Sequence, residues 1–259
     1  MTNAVDTSLY QGDVDWSQVK AAGVDRAIVK LSEGSSIADP KAVESCDGAR
    51  GAGLDVDGYH FARLSLPASA NAQQAIARAQ ACGVQCVWLD FEDPDNPLNP
   101  DDSTRWALDC LAAITQATLE AGFYTYSAYV PRFTPDPQLA GYPLWLANYG
   151  PNDGSWPPLR PPPAVPAPWT ELAGWQHTST ATVPGIAGHV DMSWFADAPA
   201  PTPIVEDEVL QVAQEIAALY KMNGNVDGSG QLAWVKDIYA KPQDQWAASL
   251  AYVAGLLHG

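Results

Sequence analysis

Along this chain, short apolar runs that alternate in facing give way repeatedly to stretches whose apolar residues recur every three or four positions. The first pattern marks strands and the second amphipathic helices. Residues 4–9 read as a first strand and 16–22 as a short helix ended by Gly23. Residues 26–33 form a second strand broken by Gly34, and Asp39-Pro40 opens a helix to Gly51 with proline in its first turn. A third strand at 54–61 precedes a helix at 69–81, stopped by Gly83, and the fourth strand is 85–92. Asp101, Asp102 and Ser103 cap the next helix, whose positions Trp106, Cys110, Ile114 and Ala117 keep helical spacing. Gly122 stops it, and 123–129 is the fifth strand.

Beyond that point the helical patterns thin out. Residues 143–149, 172–177 and 188–195 read as three more strands joined mainly by loops. Eight strands with early strand–helix alternation predict an α/β fold, a TIM-like barrel that is regular at first and irregular at its end. An open doubly wound sheet fits less well, because no glycine-rich phosphate loop follows the first strand. The prolines between 157 and 168 exclude helix and central strand, and predict a solvated polyproline excursion between strands six and seven. The barrel is expected to occupy residues 1–196, a proline-rich linker 197–204, and a small three-helix domain 205–259. The last is read from Val209, Val212, Ile216 and Leu219, then Leu232, Val235, Ile238 and Tyr239, then Trp246, Leu250, Val253 and Leu257. Asn223, Asn225 and Asp227 resemble the start of a calcium loop, but Trp234 stands where its glutamate is needed, so a polar turn is expected.

Composition narrows the partners. With 13 Lys+Arg against 30 Asp+Glu and a net charge of −17, there is little from which to build a nucleic-acid footprint. Recognition should rest on neutral hydrogen-bonding groups and on the ten Trp and ten Tyr, whose faces stack on sugar rings as well as filling cores. Cys46, Cys82, Cys86 and Cys110 follow neither a zinc nor a redox spacing and read as buried free thiols by default, with a disulfide among them as the alternative. His60, His177, His189 and His258 share no ligand spacing, so no metal and no cofactor is expected. The first residues lack the basic and apolar regions of a secretory signal, and no apolar run approaches bilayer-spanning length, so no membrane insertion is expected.

The chemistry concentrates where the fourth strand ends, at Leu89-Asp90-Phe91-Glu92. In a strand Trp88, Asp90 and Glu92 share one face, and two carboxylates held side by side raise each other's pKa, which equips one as a general acid. The bland alternative is a helix cap or a solvated loop. Polar residues recur at other predicted strand ends: Asp6 and Ser8, Glu33, Tyr59 and His60, Tyr126, Asn148, Gln176, and Asp191. Carboxyl ends of strands are where such barrels carry their sites.

These strand ends sit in an ordered set of segments that resembles glycoside hydrolase family 25, the lysozyme family that includes many phage endolysins. The segments are Asp6-Thr7-Ser8-Leu9-Tyr10-Gln11-Gly12 with Asp15-Trp16, Val29-Lys30-Leu31-Ser32-Glu33-Gly34, and Gly58-Tyr59-His60-Phe61-Ala62-Arg63. Leu89-Asp90-Phe91-Glu92, Leu144-Trp145-Leu146-Ala147-Asn148-Tyr149, Trp175-Gln176 and Val190-Asp191-Met192-Ser193 complete it. The resemblance implies a barrel of five βα units followed by mostly helix-free strands. It also implies metal-independent hydrolysis of the β-1,4 bond between N-acetylmuramic acid and N-acetylglucosamine in bacterial peptidoglycan. Residue by residue, it implies Glu92 as acid/base and Asp90 as its partner, with Asp6, Glu33 and Asp191 completing the acidic site. Tyr59, Phe61, Tyr126, Trp145, Asn148 and Gln176 are the expected substrate contacts, with Tyr124 as the competing match for Tyr126. His177 departs from the family's tyrosine, which would alter a sugar contact.

Two further roles for Asp90 stay open at this point: attack on the anomeric carbon, or orientation of the substrate's N-acetyl group. Rival functions are a non-catalytic glycan-binding or virion structural protein on the same barrel, and a chitinase-like glycosidase. The last three helical patterns suit wall binding or, failing that, self-association. The missing signal fits a lysin made in the cytoplasm and released through a membrane lesion formed by another protein.

Overall fold

The computed structural model describes residues 2–196, so the expected linker at 197–204 and the three-helix domain at 205–259 lie outside the described residues. Nine strands form one sheet: β1 (Thr2–Thr7), β2 (Arg26–Glu33), β3 (Ile37–Ala38), β4 (Asp55–Phe61), β5 (Cys86–Asp90), β6 (Glu120–Tyr126), β7 (Leu144–Ala147), β8 (Gly174–Ala181) and β9 (Val190–Phe195). Their order is β1-β9-β8-β7-β6-β5-β4-β2-β3, and β1 also pairs with β2, so eight strands close into a barrel with β3 folded back on β2 as a short hairpin partner. Helices α1 (Trp16–Ala21), α2 (Ala42–Gly51), α3 (Ala68–Cys82) and α4 (Pro100–Gln116) cover the first part of the barrel. The fifth crossover carries two 3-10 turns, Val130–Arg132 and Pro137–Gly141, in place of an α-helix.

Alternation along the strands separates two cores. Val5, Ala27, Val29, Leu31, Val87, Leu89, Phe91 and Phe123 face outward and pack with helical residues such as Val19, Ala75, Trp106 and Leu111. Ala4, Ile28, Trp88, Tyr124, Trp145, Ala147 and Phe195 form a second cluster with no helical member, which is the barrel interior. Trp88 meets Trp145 and Phe195 edge-on there, at 5.8 and 5.6 Å between ring centroids.

Several boundaries differ from expectation for physical reasons. Gly122 does not end a helix; it lies inside β6, opposite Trp88. A Cβ at Gly122 would sit 2.3 Å from Trp88 Cε3, so the glycine makes room for an indole in the barrel centre. The preceding helix has already stopped at Gln116, and Thr118 turns the chain at φ +63°. Its N-cap is Asn99, whose side chain accepts from the Asp102 amide at 2.9 Å, and Pro100 takes the first position. β5 ends at Asp90, leaving Glu92 just past the assigned strand.

The last strand runs the other way. β9 is antiparallel to both β8 and β1, whereas β1–β2 and the pairs from β2–β4 through β7–β8 around the barrel are parallel. The parallel pair β7–β8 needs a long crossover, and the proline-rich stretch supplies it without helix or strand. All four cysteines are free; Cys46, Cys82 and Cys110 are buried and Cys86 is half-buried. No helix among the described residues is long and apolar enough to cross a membrane.

Candidate active site

The site is built on the barrel rim where the parallel strands end. On β1, Ala4 belongs to the interior cluster and Val5 to the outer core, so Asp6 points inward. On β5, Trp88 faces inward and so does Asp90, which is 5% exposed. Phe91 points out and is held among Trp106, Phe123, Tyr129 and Phe133 with centroids between 5.2 and 6.1 Å. Its backbone is fixed too: Phe91 N donates to Tyr124 O at 2.8 Å, and Thr125 Oγ1 donates to Phe91 O at 2.9 Å. With Phe91 anchored outward, Glu92 turns back over the barrel mouth, where it lines an open cleft of about 400 Å³ with Tyr126, Ser127, Ala128, Ala147, Asn148 and Tyr149.

Asp191 reaches the same rim from the start of β9. Because that strand is reversed, its first residues lie beside the last residues of β1, and Asp6 and Asp191 are direct cross-strand partners. Gln176 on β8 secures Asp6: its Nε2 donates to Asp6 Oδ2 at 2.8 Å, while its Oε1 accepts from both Tyr124 and Tyr149 hydroxyls at 2.8 Å. Every polar atom of the Gln176 amide is thereby engaged, so its orientation is set.

Crowding and burial shift the protonation of this group. Burial, then Asp191, holds the Asp6 carboxyl well above its ordinary range, against the Gln176 bond that favours the charged form. Asp90 is raised by burial and next by Glu92, with Lys30 opposing, and its Oδ1 finds no hydrogen-bond partner. Glu92 is lifted to about 7 by burial and by Asp191, with Lys30 pulling the other way. Asp191 is lifted to about 6 by burial. Groups coupled this closely titrate as a set, and the set keeps protons that isolated carboxylates lose well below neutrality. The Tyr59, Tyr124 and Tyr149 phenols stay protonated, pushed up by burial first and by the neighbouring carboxylates.

Glu33 is different. It sits in an ionic chain in which Lys30 Nζ donates to Oε2 at 2.9 Å and Arg63 Nε and Nη2 donate to Oε1 at 2.9 and 2.7 Å. Burial opposes its charge, but these cations outweigh it and hold the carboxyl below the ordinary value. Arg63 continues the chain to the buried Asp93 at 3.0 Å. Lys30 and Arg63 both lie over the Phe61 ring, at 5.2 and 4.8 Å from its centroid. Phe61 therefore supports the charged floor of the site.

The expected contacts separate into three groups. Asp6, Asp90, Glu92, Asp191 and Gln176 come together as one acidic cluster, with Glu33 and Tyr59 coupled to it electrostatically. Tyr126, 37% exposed, and Asn148 line the cleft. Trp145 does not reach the rim: it is 2% exposed, fills the barrel interior, and spends its Nε1 on Ser193 Oγ at 3.0 Å. Tyr124 is likewise interior, holding Gln176 in place. His177 cannot touch a sugar beside Gln176, because the two alternate across β8; it is buried against Trp175 with ring centroids 5.5 Å apart. His60 also faces away from the mouth. Asn71 Oδ1 is fixed as an acceptor by Arg63 N, so His60 Nε2 donates to it at 3.1 Å and Nδ1 accepts from Ser32 Oγ at 2.9 Å. Among the described residues no three His, Cys, Asp or Glu side chains are arranged to hold a metal ion.

Lys30, Arg63 and Tyr149 were not singled out as site residues from the sequence. The signal for Lys30 was available: a lysine in an apolar strand, on the face of Ile28, requires a carboxylate partner in the interior. Tyr149 adjoins Asn148 but acts through Gln176 across the mouth, a contact no local pattern encodes.

The sequence model of the family described as Glycosyl hydrolases family 25 matches residues 5–186. Lysozyme M1 of Streptomyces globisporus is 28% identical over 211 residues, covering 74% of this chain and 66% of that protein, so this chain spans just under two thirds of that relative. Among solved structures, the bacterial lysozyme from Streptomyces coelicolor superposes with a TM-score of 0.66 at 25% identity, over 76% of this chain and 93% of that one. The CTP1L endolysin does so with a TM-score of 0.59 at 26% identity, over 76% of this chain and 67% of that one. The matched span takes in every strand from β1 to β8 apart from the first residues of β1, and the acids at the ends of β1 and β5. The chain belongs to glycosyl hydrolases family 25.

Proposed function

We propose that this protein is an N-acetylmuramidase, a lysozyme that hydrolyses the β-1,4 bond between N-acetylmuramic acid and N-acetylglucosamine in bacterial peptidoglycan. The observation that carries the proposal is a single protonatable carboxyl, Glu92 at about 7, placed in the wall of a cleft whose other lining groups are neutral. That is what cleavage of a glycosidic bond in an uncharged sugar backbone requires: a proton for the leaving oxygen, and carboxylates to meet the positive charge that grows on the ring. Glu92 gives its proton to the departing oxygen and then takes one from the incoming water.

Asp90 orients the substrate's acetamido group in this reading. It ends the strand that Glu92 follows by two residues, on the same side of the mouth, a poor placement for flanking a bond from two faces, and its Oδ1 lacks a donor that a substrate amide N–H would supply. The acetamido carbonyl oxygen then attacks the anomeric carbon as the aglycone leaves, and water activated by Glu92 opens the resulting ring with net retention. Digestion of purified peptidoglycan followed by borohydride reduction tests the assignment. Reduced muramic acid is the expected new end; reduced glucosamine, or no new ends, overturns it and would point to the chitinase-like or non-catalytic readings.

The bacterial cell wall is the proposed site of action, reached in a phage-type setting through a lesion made by another protein. Residues 205–259 are proposed to tether the enzyme there. A reporter fused to this segment should sediment with purified walls; a soluble dimer instead would assign it to self-association.

A further inference from the structure

Arg160 leaves the proline-rich crossover and reaches the cleft wall from behind. Its Nη2 donates to the main-chain oxygen of Asn148 and, at 3.0 Å, to Asn148 Oδ1. Its guanidinium carbon stands 4.5 Å over the centroid of Trp175, a buried ring whose own Nε1 donates to the same Asn148 oxygen at 2.9 Å. At the other end of the Asn148 amide, Nδ2 donates to Ser127 Oγ at 2.9 Å. The amide is thus clamped from both sides, with Arg160 fixing the oxygen end and Ser127 the nitrogen end. Ser127 and Asn148 both line the cleft beside Glu92. Gly150 lets the backbone pass against the guanidinium: φ is +58°, and a Cβ there would stand 2.7 Å from Arg160 Nε. His177, under Trp175, is kept neutral by burial, so no second cation crowds the stack.

We infer that Arg160 is a positioning residue for substrate binding: it locks Asn148 and Ser127 into a fixed hydrogen-bonding face for the sugar that enters the cleft beside Glu92. The inference rests on the muramidase reading of that cleft. One hydrogen of the Asn148 amide goes to Ser127, leaving the other for a sugar oxygen, and the clamp determines where that donor sits. A planar fork that serves two oxygens while stacking on an indole is a task for arginine, which a lysine ammonium meets only in part. The crossover, which its prolines mark as a solvated loop, then has a role: it carries the residue that orients the binding wall.

The test is steady-state kinetics of the full chain on solubilised glycan strands, comparing wild type with Arg160→Met, Arg160→Lys and Gly150→Ala. Arg160 contacts no reacting group, so Arg160→Met should raise KM roughly tenfold and leave kcat within about twofold, the signature of lost uniform binding. The limbs of the pH–rate profile, which report the acid cluster, should not move. Arg160→Lys should recover part of the affinity, and Gly150→Ala, which displaces the guanidinium from the backbone side, should mimic Arg160→Met even if the latter fails to fold. A KM within about twofold of wild type in both Arg160→Met and Gly150→Ala, or a fall in kcat at constant KM, overturns the clamp. An inactive wild type sinks the muramidase reading together with the clamp, whereas an active wild type with an unchanged KM in the variants sinks the clamp alone.

Discussion

Replacing Glu92 with glutamine should make the protein more stable at neutral pH while removing its chemistry. Burial and Asp191 raise the Glu92 carboxyl from 4.5 to about 7. Between those values the folded state keeps a proton that the unfolded chain has released, so stability falls as pH rises through the window and levels off above it. The gap corresponds to about 3 kcal/mol at full strength. Glu92 is only partly buried and borders an open cleft, so water screens the penalty to roughly 1–2 kcal/mol. Glutamine has the same shape without the charge and escapes the penalty. For a chain of this size the gain corresponds to a Tm rise of roughly 2–8 °C at pH 8, shrinking to nothing at pH 4, where the wild-type carboxyl is protonated in the fold. Thermal melts followed by circular dichroism at pH 4, 6 and 8 read this directly, and turnover on peptidoglycan should drop by roughly 100-fold or more. Equal Tm values at pH 8 would refute the claim that the fold holds Glu92 protonated. A gain that persists at pH 4 would show that packing, not charge, is responsible, and near-normal turnover would remove Glu92 from the acid role.

Three further outcomes are expected. Lys30→Met removes a cation that lowers the Asp90 and Glu92 pKa values, so the alkaline limb of the kcat/KM profile should move to higher pH; an unmoved or lowered limb contradicts the assigned field. Gly122→Ala drives a methyl group into Trp88, which is hemmed in by Trp145 and Phe195, and should cost about 1–3 kcal/mol in urea unfolding; a neutral effect would mean the barrel centre is loosely packed. Incubation with a fluorinated substrate analogue that traps covalent intermediates should leave Asp90 unmodified by mass spectrometry, whereas a glycosyl ester on Asp90 would make it the nucleophile.

Elements held by local pattern were legible in the sequence, and elements set by a distant neighbour were not. The second strand came out with its observed bounds, 26–33, because its inward and outward residues meet two different apolar layers. Gly122 misled because a glycine after a helical pattern ordinarily marks a stop; here the reason for the glycine is the Trp88 indole on the neighbouring strand. Trp145 followed the same logic in reverse. An aromatic in a strand-end motif reads as a sugar platform, but Ser193 and Trp88 opposite it make it core. Tyr124 and Tyr126 could not be separated by period two, since both lie on one face; depth in the barrel decides that the first holds Gln176 and the second lines the cleft. Asp6, Asp90, Glu92 and Asp191 do lie together at one rim, yet the pattern of polar strand ends explains the placement of only the first three.

The fourth acid depends on strand direction, which alternation does not encode. In an all-parallel barrel the second residue of the last strand lies at the far end from Asp6. Here the chain leaves β8 at the active rim, turns within a short loop, and enters β9 from that rim, so the first residues of β9 are the ones available for chemistry. Antiparallel neighbours need only such a short connection, whereas parallel ones need a long crossover, usually helical. The thinning of helices in the second half of the sequence and the presence of Asp191 at the site are therefore linked: losing the last helical crossover allows the strand to reverse, and reversal delivers the acid. The register then sets Asp191 opposite Asp6, and Gln176 on the other flank of β9 supplies Asp6 with a donor across the mouth. Two acids from β9 and β1 thus meet Asp90 at the end of β5 and Glu92 just past it, and burial first, then the charge of Asp191, lifts the Glu92 carboxyl to about 7.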